Sequence, residues 1–250
     1  MFFLLPSLLS GRKENNMRFY TVNKEYIEYL CKSDKQIMRD DKERPRIYVG
    51  LIHPVKWFNY LIPLSSAKAE KDYEILPDGT EFARSGYDRS VKYIEAFSKH
   101  NKLEVCSKLM MGKMIPVPSS EYHYVDINKS NDLYYRSLLI KEYEFIKKNQ
   151  YKIRHFCENE LYQSITKGID YMNIEKEKCV DFNLAEKNCR KWEYDRKMQQ
   201  DDYKELFDDL EQMGLSEDHI NAVKKDIFYG YDLDDIRYKF DIGMYHNKTR

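Results

Sequence analysis

No apolar run in this sequence is long enough to cross a bilayer as a helix. The opening FFLLPSLLS comes nearest, but it is short, holds a proline and has no basic residues ahead of it, unlike a secretory signal. The expectation is that Met17 is the working start and that residues 1–16 are a leader or a misassigned start. The cysteines, Cys31, Cys106, Cys157, Cys179 and Cys189, are odd in number and form no close pair. Cys179 and Cys189 have no second pair to complete a zinc site. Reduced thiols in a cytoplasmic protein, with no metal, are expected. Walker A, GxGxxG, HExxH and paired CxxC patterns are all missing. That argues against phosphate-loop, dinucleotide and zinc-hydrolase chemistry.

Net charge is missing too, with 42 basic against 42 acidic residues, but the balance is local. Residues 17–160 hold 25 basic and 21 acidic side chains, whereas 161–250 hold 15 and 20. The acid gathers in 201–235. A mildly basic body with an acidic tail suits a protein that handles an anion with one part only. Apolar residues make up 42% of the chain, enough to exclude a disordered polymer. Tyrosine is abundant at 22 copies, a residue that fills cores and also stacks on bases.

The patterning alternates between strand and helix. MRFYTV reads as a first strand, and NKEYIEYLCKSD as a short helix with Asn23 as cap and Tyr26, Ile27, Leu30 and Cys31 on one face. IYVGLIHP and KWFNYLIPL read as an antiparallel hairpin turning at Pro54 and Val55. Gly50 inside the first of these implies a bulge or a close backbone approach. Pro77-Asp78-Gly79 marks a turn, VKYIEAFSKHNK suggests a short inserted helix, and KLEVCSKLMM and YHYVDI suggest strands. The clearest helix starts after Ser130, Asn131 or Asp132, carries the stripe Tyr135, Leu139, Tyr143, Ile146, and is expected to break near Asn149-Gln150. Three short helices follow in the tail, with Gly214 and Gly230 at C-caps and Ser216 and Asp232 at N-caps.

One short stretch carries chemistry. Ser65-Ser66-Ala67-Lys68 ends an apolar strand. It matches the S-x-x-K of serine acyl enzymes literally, but that motif opens a helix, and the S-D-N and K-T-G partners are missing. Two hydroxyls and an ammonium at a strand end instead suit a phosphate. On RNA such a group can be catalytic, because the 2′-hydroxyl already sits beside the scissile phosphate. Serine holds its proton too tightly to be a base near neutral pH, so Ser66 is expected to position or stabilise. Arg46 opens the neighbouring strand and, counting back from the turn, lies near Ser65. His53, at the turn, is a minor acid–base candidate.

The segments MRFYTVNKEYIEYL, RPRIYVGL, YLIPLSSAK, MIPVP and YRSLLIKEYEFIKKNQ occur in an order and spacing that resemble the type III toxin–antitoxin endoribonucleases, the ToxN and AbiQ toxins of phage defence. The resemblance covers roughly 17–165, with an unusual stretch at 73–111. It implies an α+β fold, a compact, strongly twisted antiparallel sheet with flanking helices of the MazF-like kind. It implies RNA cleavage to a 2′,3′-cyclic phosphate and a 5′-hydroxyl without metal or other cofactor. It also implies a tandem-repeat antitoxin RNA that the toxin cuts and then stays bound to in a closed protein–RNA ring, with cellular or phage RNA as further substrates. The family's catalytic positions fall on Ser65, Ser66, Lys68 and Arg46, and its first-helix tyrosine on Tyr26, an RNA contact. Lys42, Lys56 and Lys71 are the other expected RNA contacts. A family tyrosine before the basic residue has no counterpart, and Lys42 stands near its place.

The expected organisation is a nuclease domain at 17–165, a helical connector at 166–195 and an acidic three-helix extension at 196–250. Two other readings compete: an RNA-binding protein without cleavage, and a regulator acting through the helical tail. Neither a membrane nor DNA is an expected partner.

Overall fold

The computed structural model describes residues 17–40, 44–54, 57–84 and 88–241. Strands β1 (Arg18–Val22), β2 (Tyr48–Ile52) and β3 (Tyr60–Ser66) form the centre of an antiparallel sheet. Between β1 and β2 lies α1 (Lys24–Cys31), which buries Tyr26, Ile27 and Leu30 as its apolar face dictates. Asn23 precedes it, but its side chain makes no cap and instead donates to Glu121 at 2.7 Å. Gly50 is a close-approach glycine. A Cβ there would run into the Leu61 side chain, and the β2–β3 register shifts between Val49 and Ile52.

Strands β4 (Tyr73–Ile75) and β5 (Glu81–Ala83) make a separate small hairpin around the turn at Gly79, where φ is 81°. The segment expected as an inserted helix is a strand, β6 (Val91–Phe97), paired along its whole length with β7 (Leu103–Met110). Four of its seven residues, Val91, Tyr93, Ile94 and Phe97, are β-branched or aromatic and suit a pleated strand. Asn101, at φ 56°, turns the chain back so that a partner strand is at hand. With β8 (Ile115–Pro116) and β9 (Tyr122–Tyr124), the order across the sheet is β6-β7-β3-β2-β1-β9, and β8 lies beside the start of β3.

Helix α2 (Leu133–His155) packs across β6 and β7. Asp132 caps it by accepting from the Tyr135 amide at 3.0 Å. It does not break at Asn149-Gln150. The Asn149 side chain bonds back to the Phe145 carbonyl at 2.8 Å, and Gln150 accepts from the Met17 amide, so both polar residues are satisfied within a continuous helix. A π-helical stretch, Phe156–Leu161, leads into α3 (Tyr162–Lys167), which ends at Gly168 with φ 70°.

The stretch expected as a connector contains most of α4 (Phe182–Lys197), whose Phe182, Ala185 and Cys189 join the main core. Beyond it, α5 (Asp201–Gln212), α6 (Glu217–Phe228) and α7 (Leu233–Asp241) close on their own apolar cluster of Tyr203, Leu210, Val223, Ile227 and Ile236. Gly214 and Gly230 sit at the expected C-caps with positive φ, and Asp232 accepts from the Asp235 amide. Among the described residues no helix is long and apolar enough to cross a membrane.

Candidate active site

The site forms where β3 changes partners. Its first half pairs with β2 and β8, and its last three residues pair with β7 alone: Leu64 with Leu109, Ser65 with Lys108, Ser66 with Ser107. The β2 side ends at the bond from the Leu64 amide to the Ile47 carbonyl. Pro45 lacks an N–H and cannot extend the ladder, so the chain turns away there. The serine pair is therefore left at an open rim of the sheet.

Arg46 fills that opening. Its Nη1 donates to the Leu64 carbonyl at 3.0 Å and its Nη2 to the Arg39 carbonyl at 3.0 Å. Its backbone amide is held by both carboxylate oxygens of Asp40 at 3.1 Å. Nε is buried and has no partner among the described residues. Two carbonyls thus fix the guanidinium beside the serines, with its charge unneutralised by any ion pair among the described residues.

Ser65, Ser66 and Arg46 line one pocket of about 220 Å³. Arg44, held by Asp132 at 3.1 Å, stands at its wall, and α2 covers it through Tyr135, Leu139 and Glu142. Ser66 is exposed and Ser65 half-buried, so the hydroxyls are open to an incoming group.

Lys68 does not line that pocket. It is exposed, two residues beyond Ser66, on a turn tied down by Asp72, whose carboxylate accepts from the Lys68 amide at 2.8 Å. Asp72 is buried and also holds Lys108 at 3.0 Å and the Tyr93 hydroxyl at 3.3 Å. Burial alone would raise the Asp72 carboxyl. The bonds from Lys108, the Lys68 amide and Tyr93 outweigh it and hold the group below the usual carboxylate range. Lys71 is exposed on the same turn.

The remaining candidates do not join this group. Tyr26 was expected to contact RNA, but its ring is wholly buried against Trp192 and its hydroxyl donates to the Pro116 carbonyl at 2.7 Å. It is a packing residue, as its place on the apolar face of α1 dictates. His53 follows the far end of β2 from Arg46, and its amide donates to Glu158 at 3.1 Å. Lys42 and Lys56 lie outside the described residues.

Sequence reasoning missed Glu142. It is buried to 4% exposure in the middle of α2, between Leu139 and Ile146. Burial pushes its carboxyl up to about 7, against a smaller opposing pull from the Ser107 hydroxyl. The available signal was the spacing 135, 139, 142, 146, which places an acid in the core-facing stripe.

Residues 18–190, which contain every member of this site, match the family described as Toxin ToxN, type III toxin-antitoxin system. Endoribonuclease ToxN of Bacillus thuringiensis subsp. kurstaki is 26% identical over 185 residues, spanning 72% of this chain and 86% of that protein. Endoribonuclease AbiQ of Lactococcus lactis subsp. lactis is 34% identical over 108 residues, spanning 42% and 53%. Among solved structures, AbiQ, a lactococcal anti-phage endoribonuclease of a type III toxin–antitoxin system, is similar with a TM-score of 0.54 and 27% identity, over 71% of this chain and 98% of AbiQ. A second structure, from work on selective toxin inhibition by a non-coding RNA pseudoknot, has the same fold at a TM-score of 0.54 and 24% identity, over 71% and 98%. The chain belongs to the ToxN family of type III toxin–antitoxin toxins.

Proposed function

We propose that this endoribonuclease toxin cuts RNA without a metal ion, by directing the RNA's own 2′-hydroxyl onto the adjacent phosphorus. The O2′–P bond forms as the P–O5′ bond breaks, leaving a 2′,3′-cyclic phosphate and a 5′-hydroxyl. Such a reaction needs in-line geometry and stabilisation of charge on the non-bridging oxygens more than it needs a new nucleophile. Ser66 donates to one of those oxygens and Ser65 to its neighbourhood. Arg46 supplies fixed positive charge. Lys68 and Lys71 supply mobile charge from the turn, reaching a phosphate once RNA fills the rim. Lys42 and Lys56 are proposed as further backbone contacts.

The observation that carries this reading is the shared pocket of Ser65, Ser66 and Arg46 at the end of β3. The regulator is a repeat-type antitoxin RNA, cut by the toxin and kept in a closed protein–RNA ring that covers the pocket. Cellular and phage RNAs are the targets when that RNA is lost. The fold is read as MazF-like, with the acidic helices after α4 as an extension that keeps anionic RNA on the basic part of the molecule.

The test is Ser66→Ala, assayed on RNA in the presence of a chelator, with the product ends identified. Wild type should leave cyclic phosphate ends, and the variant should cleave about 100- to 1000-fold more slowly, the usual loss for one transition-state donor. Chelator-sensitive cleavage, or an unimpaired variant, overturns the mechanism.

A further inference from the structure

Glu142 occupies a position that helix geometry reserves for an apolar side chain. Along α2 the buried residues are Leu139, Glu142, Ile146 and Ile153, a single stripe at the spacing of one helix face. A buried carboxyl there costs stability unless a cation or a full set of donors compensates it. Glu142 forms no ion pair with any described residue. The neighbouring Lys141 is spent on Glu104 at 2.7 Å. Such an uncompensated group belongs at a site that uses it.

Its surroundings are those of the cleavage pocket. Ser107 on β7 faces the carboxyl, and Ser107 is the cross-strand partner of Ser66 on β3. Directly opposed residues on one sheet face have Cβ atoms about 5 Å apart. Glu142 therefore sits over a pair of serines, one of which is the proposed transition-state donor. The other titratable or charged groups around it are Arg46 and Arg44 before β2, Cys106 on β7 and Tyr135 on α2. Burial raises the Cys106 thiol to about 11 and also raises the Tyr135 phenol, so neither is a base near neutral pH. Glu142 is the pocket's remaining proton acceptor.

We infer that Glu142 is the general base of the cleavage reaction, taking the proton of the attacking 2′-hydroxyl inside the pocket that holds Ser66 and Arg46. This rests on the nuclease reading above. The carboxylate accepts the O2′ proton as the O2′–P bond forms. The departing O5′ takes a proton from water, and Glu142 returns its own proton to solvent before the next turnover. Its position near 7 leaves a large fraction ionised at neutral pH, while the burial that raises it also strengthens it as a base.

Glu142→Gln keeps the shape and removes the titration. For wild type, kcat/KM on a short RNA should rise with pH and level off above a midpoint near 7. For Glu142→Gln it should fall by about 100-fold or more and lose that limb. Glu142→Asp should keep the limb at a reduced rate. Glu142→Gln should melt no lower than wild type and bind the antitoxin repeat RNA as tightly, which a purely structural role does not predict together with lost cleavage. An active wild type with an equally active Glu142→Gln, or with an unchanged pH profile in that variant, overturns this inference and leaves the nuclease reading standing. A wild type that cuts no RNA overturns both.

Discussion

The Arg46 guanidinium donates to the Leu64 carbonyl at 3.0 Å, one residue before the serine pair, and so occupies the place a neighbouring strand would take. The same group supplies charge to the pocket and completes the sheet edge. Arg46→Lys keeps the charge but loses the planar grip on two carbonyls. It should bind RNA nearly as well as wild type yet cleave at least about 10-fold more slowly, since a misplaced group loses in-line geometry before it loses attraction. Arg46→Ala should also lose roughly 1–3 kcal/mol of stability from the abandoned carbonyls, read by denaturant unfolding.

Asp72 gathers Lys108, Tyr93 and the Lys68 amide into one buried cluster. Its folded-state carboxyl is depressed, so its contribution is fully present above the ordinary carboxylate pKa and is lost as pH falls through the folded value. Asp72→Asn should cost about 2 kcal/mol at neutral pH and flatten the acid limb of the stability curve. Equal acid sensitivity in both proteins would refute the assignment.

Glu142 acts in the opposite sense. Its folded-state carboxyl is raised to about 7, so its ionisation weakens the fold as pH rises through that value. The raised value corresponds to a cost on the order of 3 kcal/mol at high pH. Melting temperature should therefore rise on going from pH 8 toward pH 5, and Glu142→Leu should remove the dependence and melt higher at pH 8. Scanning calorimetry of both proteins across this range checks it.

The tail helices α5 to α7 close on their own apolar cluster, while the pocket is built from the segment leading into β2, from β3, β7 and α2. A fragment ending after α4, residues 17–198, should keep metal-independent cleavage within a few-fold of the full chain. Loss of cleavage in a folded fragment would favour the reading in which the tail carries the function.

Much of the site was legible because it rests on local geometry. The β2–β3 hairpin announces itself by two apolar runs and Pro54, and its register alone brings Arg46 beside Ser65. Glu142 was not legible by counting apolar residues, since the residue that breaks the stripe is the informative one. Tyr26 shows the reverse. Its burial was implied by its own helix face, and only the family resemblance suggested an RNA contact. Val91–Phe97 failed as a helix because its partner strand, β7, lies across a turn whose left-handed Asn101 carries no strong local signature.

The buried Asp72 cluster also works as a rivet. It pins the end of the lysine-bearing turn to β7 just before the chain departs for the small β4–β5 hairpin. Glu81 of that hairpin accepts from the Val105 amide of β7 at 2.7 Å, so the excursion is clamped a second time to the strand that pairs with the serines. A differently shaped hairpin between Tyr73 and Ala83 would therefore have to keep both clamps on β7 to leave Ser107 opposite Ser66.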